Sequence, residues 1–182
     1  MKKILLFAWE FLQIILISLA IIIPIRYYVV QPFFVKGASM EPNFEDNDYL
    51  IIDELSYHFR QPGRGEVIVF HFPQNTKQFY IKRIIGLPGE KIKIADNKIY
   101  VYNKENPEGM MLDEKTYLPT EILLANYETT LNNNSYFVMG DNRLHSFDSR
   151  GWGNLERKYI VGKVLFRVWP FGKAMAFGTP NY

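Results

Sequence analysis

"EVIVFHFPQNTKQFYIKRIIG", residues 66–86, decides the fold. Two runs of β-branched and aromatic residues, 66–72 and 78–85, are separated by turn formers, and such runs read as strands. The pattern recurs outward in both directions: "DYLIIDEL" (48–55), "KIKIADNKIYVY" (91–102), "SYFVMG" (135–140) and "KVLFRVWPF" (163–171). Within 91–102, two alternating runs flank a three-residue polar turn, Ala95-Asp96-Asn97, which predicts a hairpin. Residues 103–134 carry few strand signals and read as a peripheral excursion, with "LPTEILLANYET" (118–129) able to hold a helical turn or two. The chain is predicted to be mainly β, with one modest core.

Composition excludes several function classes. The 182 residues carry 21 Lys+Arg against 19 Asp+Glu, so no basic surplus points to nucleic acid. There is no cysteine, which removes disulfides, thiolate metal sites and cysteine nucleophiles. His58, His71 and His145 are far apart in sequence and form no metal-ligating pair, so no metal is expected. "NNS" at 133–135 sits in an Asn-rich loop and is read as a chance match to a glycosylation pattern.

The N-terminus is unlike the rest. Between Lys3 and Arg26 runs "ILLFAWEFLQIILISLAIIIPI", in which only Glu10 and Gln13 are strongly polar. As a helix this segment rises roughly 30 Å, the depth of a bilayer core. It is longer than the apolar region of a cleavable leader, and no small-x-small site follows it, so it reads as an uncleaved anchor. Lys2 and Lys3 precede it and Arg26 follows, which places the N-terminus in the cytoplasm. Tyr27, Tyr28, Phe33 and Phe34 then fall at the outer headgroup level, and everything from about residue 33 lies outside.

Three segments carry residue types fit for chemistry. Gly37-Ala38-Ser39, just past the anchor, presents a serine in a small-residue loop. In 78–85 two adjacent cations, Lys82 and Arg83, interrupt an apolar strand. Side chains alternate along a strand, so at least one of the two faces whatever the sheet packs on. A desolvated Lys82 would lose pKa and serve as a base; an edge strand guarded by cations is the plainer alternative. The third segment, "MGDNRLHSFDSRGWG" (139–153), concentrates hydrogen-bonding side chains between glycines. A serine nucleophile needs a base, and two are on offer: His145 with Asp141 or Asp148, or Lys82 with a hydroxyl such as Ser146 to orient it. The residue pattern alone leaves these two open.

Together these segments resemble the type I signal peptidases, membrane-anchored serine peptidases that remove signal peptides from exported proteins. "SMEP" (39–42) is similar to the nucleophile box, "RGEVIVF" (64–70) to the strand box after it, and "YIKRIIGLPGE" (80–90) to the lysine box. "GDNRLHSFDSRGWG" (140–153) is similar to the last box and "IVGKVLFRVWPF" (160–171) to the closing strand. The resemblance implies a Ser–Lys dyad, with Ser39 as nucleophile, Lys82 as general base and Ser146 orienting the amine. It further implies that the Ser39 N–H serves the oxyanion, that Asp148 and Arg150 form a structural ion pair, and that Asp141 does the same with Arg83. His145 becomes a bystander, and the resemblance implies no cofactor. Gly37 stands where some members carry a hydroxyl, so the oxyanion loop must rely on backbone amides; Glu66, Glu90 and Asn43 are further departures.

The implied architecture is a single N-terminal transmembrane helix followed by an exported antiparallel β-sheet catalytic domain of signal-peptidase type. Residues 1–3 are cytoplasmic, 4–26 the anchor, 33–102 and 135–172 the catalytic core, 103–134 a small accessory excursion, and 173–182 a C-terminal tail. The implied substrates are signal peptides of preproteins, cut after Ala-x-Ala at the outer face of a bacterial plasma membrane. The alternative is a catalytically idle membrane-anchored chaperone or binding module on the same fold.

Overall fold

The computed structural model describes residues 2–28, 30–118, 124–180 and 182, and in the N-terminal helix the side chains of residues 7–22. Helix α1 (Lys2–Tyr28) leads into β1 (Val30–Phe34), β2 (Tyr49–Asp53), a turn of helix α2 (Ser56–Phe59), β3 (Val67–Phe72) and β4 (Asn75–Gly86). There follow β5 (Lys91–Ala95), β6 (Lys98–Tyr102), β7 (Met110–Met111), β8 (Tyr127–Thr130) and β9 (Ser135–Met139). Helix α3 (Ser149–Trp152), β10 (Leu155–Glu156), β11 (Ile160–Trp169) and β12 (Met175–Ala176) complete the order.

The strands form two antiparallel sheets. One runs β1-β2-β11-β3-β4-β9-β10, with β12 beside β11; the other runs β7-β6-β5-β8. Strand β3 shows why 67–70 reads as an unbroken apolar run. Val67 and Val69 join one core with Met40, Phe44, Leu50, Ile52 and Ile81. Ile68 and Phe70 point the other way and join Tyr57, Ile84, Tyr136 and Val138. Both faces of the sheet are therefore covered, and alternation gives way to continuous hydrophobicity. Each such side chain contributes about 1.5–3 kcal/mol on burial. A third core, in which Ile92, Ile94, Ile99 and Val101 meet Ile85, Phe137 and Met139, fastens the second sheet to the first.

Two sequence expectations need correction. The hairpin turn has two residues, not three: Ala95 still pairs with Lys98, and Asp96 and Asn97 take φ of 51° and 61°. That left-handed pair suits a two-residue hairpin turn, and Asp and Asn tolerate it better than most side chains. The stretch 118–129 ends in strand rather than helix, because Tyr127 packs its ring 5.4 Å from Phe137 and β8 pairs with β5; residues 119–123 lie outside the described residues.

The side chains described in α1 are all exposed, among them Phe7, Trp9, Phe11, Ile17 and Ile22. Among the described residues no helix is long and apolar enough to cross a membrane. The ends of the expected anchor, with Lys2, Lys3, Arg26, Tyr27 and Tyr28, lie outside the described side chains.

Candidate active site

Ser39 is placed by what flanks it. Gly37 takes φ of 84°, a conformation glycine adopts freely, and its N–H donates to Asp46 Oδ1 at 2.7 Å. Directly after Ser39, Met40 and Phe44 are completely buried. The bonds Glu41 N–H to Ala38 O (3.2 Å) and Phe44 N–H to Met40 O (2.9 Å) wind the intervening chain into a tight turn. The serine thus sits half-buried at the rim, held by two hydrophobic anchors. Its own N–H makes no hydrogen bond among the described residues.

Strand β4 delivers Lys82 to the same place. Paired with Ile68 of β3, Lys82 is only 3% exposed. Its Nζ lies 2.7 Å from Ser39 Oγ and donates to the Ile81 carbonyl at 2.8 Å. Burial lowers its pKa from 10.5 to about 8, partly opposed by the charges of Asp148 and Asp141. An ammonium taken out of water is disfavoured relative to the amine, so Lys82 is available as a base near neutral pH. Arg83, 4% exposed, is also buried, so both cations of the pair leave solvent. Its Nε and Nη2 donate to the two oxygens of Asp141 at 2.8 and 2.6 Å, and its Nη1 donates to the Gly65 carbonyl at 2.8 Å.

The loop after β9 closes over the nucleophile turn. Asn142 donates its N–H to Ser39 O at 3.1 Å and its Nδ2 to Ala38 O at 3.0 Å. A Cβ added to Gly140 would run into Ser146 Oγ and the Ser39 carbonyl oxygen, so this approach requires glycine. Gly140 N–H donates to Asp148 Oδ2 at 3.0 Å, and Arg150 donates its Nε and Nη2 to Asp148, both at 2.8 Å. Burial works to raise the Asp148 carboxyl, but the Arg150 guanidinium, together with the Gly140 N–H, holds the carboxyl below its usual range.

Ser146 Oγ is buried without a hydrogen-bond partner among the described residues. It lies close enough to weigh on the Asp148 carboxylate but outside hydrogen-bonding geometry. The Lys82 amine bonds Ser39 and Ile81, not Ser146. His145 is exposed, and its imidazole makes no hydrogen bond among the described residues, while Asp141 and Asp148 are engaged by arginines. His58 and His71 bond the carbonyls of Glu54 and Thr76. No Ser–His–Asp relay is assembled among the described residues, nor a group of three or more acidic or histidine side chains able to hold a metal ion.

Ser39 and Lys82 open onto a groove of about 790 Å³. Phe33, Phe34 and Val35 form one side, Phe79, Tyr80 and Ile81 another, and His145 and Phe147 of the loop add a third. Among the described residues, strand β1 pairs with β2 alone, and β4 pairs with β3 alone until Arg83, where β9 joins. Each therefore keeps an unpaired backbone edge beside the groove.

Sequence reasoning missed several supports. Glu66 accepts from Tyr57 Oη, Arg60 and the Gly63 N–H, and Glu90 accepts from Arg64, Asn103 and the Leu87 N–H. Residues 103–134 are not confined to the periphery: Glu114 pairs with Arg143, and the Tyr117 ring lies 4.1 Å from the Arg83 guanidinium carbon. Nothing local in that stretch signals either contact, since both partners come from elsewhere in the chain.

A family model described as signal peptidase, peptidase S26, matches residues 8–169. The chain is 37% identical over 168 residues to signal peptidase I of Bacillus caldolyticus, which covers 88% of this chain and 91% of that one. It is 32% identical over 180 residues to signal peptidase I of Leptolyngbya laminosa, covering 94% and 84% respectively. A crystal structure of a signal peptidase I from Enterococcus faecalis V583 superposes with a TM-score of 0.47 at 29% identity, over 57% of this chain and 97% of that one.

Proposed function

The chain belongs to the signal peptidase family, peptidase S26, and is a serine endopeptidase of the signal peptidase I kind; from that premise we propose a Ser–Lys mechanism with Ser39 as nucleophile and Lys82 as general base. The observation that carries it is the 2.7 Å contact between Ser39 Oγ and a buried lysine whose pKa is lowered to about 8. The neutral amine takes the Ser39 proton as Oγ attacks the scissile carbonyl. The developing oxyanion accepts from the free Ser39 N–H; Gly37 N–H, engaged by Asp46, is not available for it. Collapse expels the amine of the mature protein, which Lys82 protonates, and leaves an ester on Ser39. Lys82 then removes a proton from water, which attacks the ester; Lys82 returns that proton to the departing Ser39 Oγ, and the signal peptide leaves as a carboxylate. Ser146, with its unpartnered hydroxyl close by, holds the amine toward Ser39 as the site tightens on substrate. The pairs Arg83–Asp141 and Asp148–Arg150 keep the turn and the loop in register.

The substrate enters as an extended strand between the unpaired edges of β1 and β4, and alternation directs every second side chain into the groove. Shallow pockets at two such positions select small residues, hence Ala-x-Ala. The exposed apolar side chains of α1 support a single-pass anchor, and Lys2 and Lys3 support a cytoplasmic N-terminus. Tethered in this way, the groove meets an emerging signal peptide at the outer surface of the membrane without a three-dimensional search.

The test is cleavage of a purified preprotein in detergent by wild type, Lys82→Ala and His145→Ala, with product masses read. Wild type and His145→Ala should cut after Ala-x-Ala, and kcat/KM should rise with pH around the Lys82 value of about 8. A folded Lys82→Ala that still cuts, or an inert His145→Ala, sinks the mechanism.

A further inference from the structure

The segment expected to be peripheral sends one turn beneath the catalytic machinery. Tyr117 N–H and Leu118 N–H both donate to the Glu114 carbonyl, at 3.1 and 2.8 Å, and this turn sets Glu114 and Tyr117 side by side. Tyr117 Oη donates to Glu114 Oε1 at 2.6 Å and accepts from Tyr182 Oη at 3.1 Å.

Each of the two grips an arginine. The Glu114 carboxylate accepts from Arg143 Nη1 and Nη2 at 2.7 and 2.5 Å, with the Arg143 side chain 1% exposed. Arg143 in turn donates its Nε to Gly140 O at 3.0 Å, and its own carbonyl accepts from Arg150, the arginine that holds Asp148. Gly140 is consequently held at both ends, its N–H by Asp148 and its carbonyl by Arg143. This is the residue pressed against the Ser39 carbonyl and Ser146 Oγ. Tyr117 stacks on Arg83, the partner of Asp141, and its carbonyl accepts from Asn43 Nδ2 at 2.9 Å. Asn43 also donates to Asp141 and lies on the turn that carries Ser39. Neither Glu114 nor Tyr117 lines the groove.

We infer that Glu114 and Tyr117 are positioning residues: through Arg143 and Arg83 they hold the Gly140–Asn142 loop and the nucleophile turn together, and so set the approach of Lys82 Nζ to Ser39 Oγ. The inference rests on the Ser–Lys reading above. A buried bidentate ion pair could serve stability alone, so the two roles must separate in kinetics. A positioning role is felt in the chemical step and hardly in substrate binding, because the groove walls are built from other residues. A misplacement on the scale of an ångström costs a reaction of this kind roughly 10- to 100-fold in kcat.

The experiment uses the full chain in detergent with a purified preprotein, comparing wild type, Glu114→Gln, Tyr117→Leu, Tyr117→Phe and a Lys82→Ala control, all below their unfolding temperatures. Glu114→Gln and Tyr117→Leu should lose roughly 10- to 100-fold in kcat with KM unchanged. Tyr117→Phe keeps the ring on Arg83 and should recover a large part of what Tyr117→Leu loses. The midpoint of the kcat/KM profile should move up from about 8 as the site loosens and Lys82 is rehydrated. Asp148 and Asp141 are the charges that bear on Lys82, and His145 shares its groove, so the same displacement should persist in a His145→Ala background. Variants with lowered melting temperature but wild-type kcat and pH midpoint would overturn the inference, as would a raised KM at unchanged kcat. Should Glu114→Gln not fold, the tyrosine pair decides, and equal kcat for Tyr117→Phe and Tyr117→Leu overturns it. An active Lys82→Ala overturns the Ser–Lys reading and this inference with it, whereas an inert Lys82→Ala beside wild-type-like Glu114 and Tyr117 variants overturns this inference alone.

Discussion

Replacing Lys82 with methionine removes a buried charge while keeping a long unbranched side chain in its place. Lys82 is 3% exposed, and burial lowers its pKa from 10.5 to about 8. That difference, at about 1.4 kcal/mol per pH unit, means that the charged lysine costs the fold about 3 kcal/mol. The sign follows from proton binding. Between about pH 8 and pH 10.5 the unfolded chain retains a proton that the folded chain has released, so wild-type stability rises with pH across that window. Below it the wild type carries the full cost, and above it both states hold a neutral amine and the cost is gone. Methionine feels none of this. The stability of Lys82→Met relative to wild type should therefore fall by about 3 kcal/mol as pH rises through the window. Losing the bonds to Ser39 and Ile81 adds an offset of about 1 kcal/mol each, but one that does not change with pH. Burial raises the pKa of Tyr57, Tyr117 and Tyr182, whose titration is common to both proteins and cancels in the difference. Urea unfolding of both proteins in detergent across this pH range measures it. A difference that stays constant would refute the claim that Lys82 is held in a site hostile to its charge.

Two further substitutions probe the frame around the dyad. Asp141→Asn leaves the Arg83 guanidinium, its side chain 5% exposed, without its countercharge and should cost about 3–5 kcal/mol in unfolding free energy. The double variant Arg83→Met/Asp141→Leu should recover most of that loss, and a single variant of wild-type stability would show the pair to be idle. Gly140→Ala pushes a methyl group against Ser146 Oγ and the Ser39 carbonyl; it should cost about 1–3 kcal/mol and abolish most preprotein cleavage. Unchanged cleavage by Gly140→Ala would mean that the loop does not press on the nucleophile turn.

Strand positions were legible because their signal is local. In β3 and β4, residue type and period between turn formers suffice, and 66–72 and 78–85 lie within a few residues of the observed strands. The candidate residues Ser39, Lys82 and Ser146 were legible as motif members, since each box is a short contiguous run. Short strands such as β7, β10 and β12 were not, because two residues carry no period and pair only where a neighbour offers an edge. The hairpin turn was misread by one residue because a small apolar residue, Ala95, sits as well in a ladder as in a turn.

The sequence by itself determined that the chain is mainly β behind an apolar helix, and which side chains were available for chemistry. It left Lys82 and His145 as rival bases, since both have suitable types and both lie near glycines and hydroxyls. Only the tertiary structure put Lys82 Nζ 2.7 Å from a serine 43 positions away, left the imidazole of His145 without a partner among the described residues, and turned Glu114 toward an arginine 29 positions on. It also decided that Lys82 and Arg83 are both buried, which alternation along one strand cannot specify when both faces are covered. The physical reason is one of range. Periodicity and turn chemistry act between neighbours in the chain, whereas desolvation, ion pairing and the fit around Gly140 depend on which distant segments the folded sheets bring together.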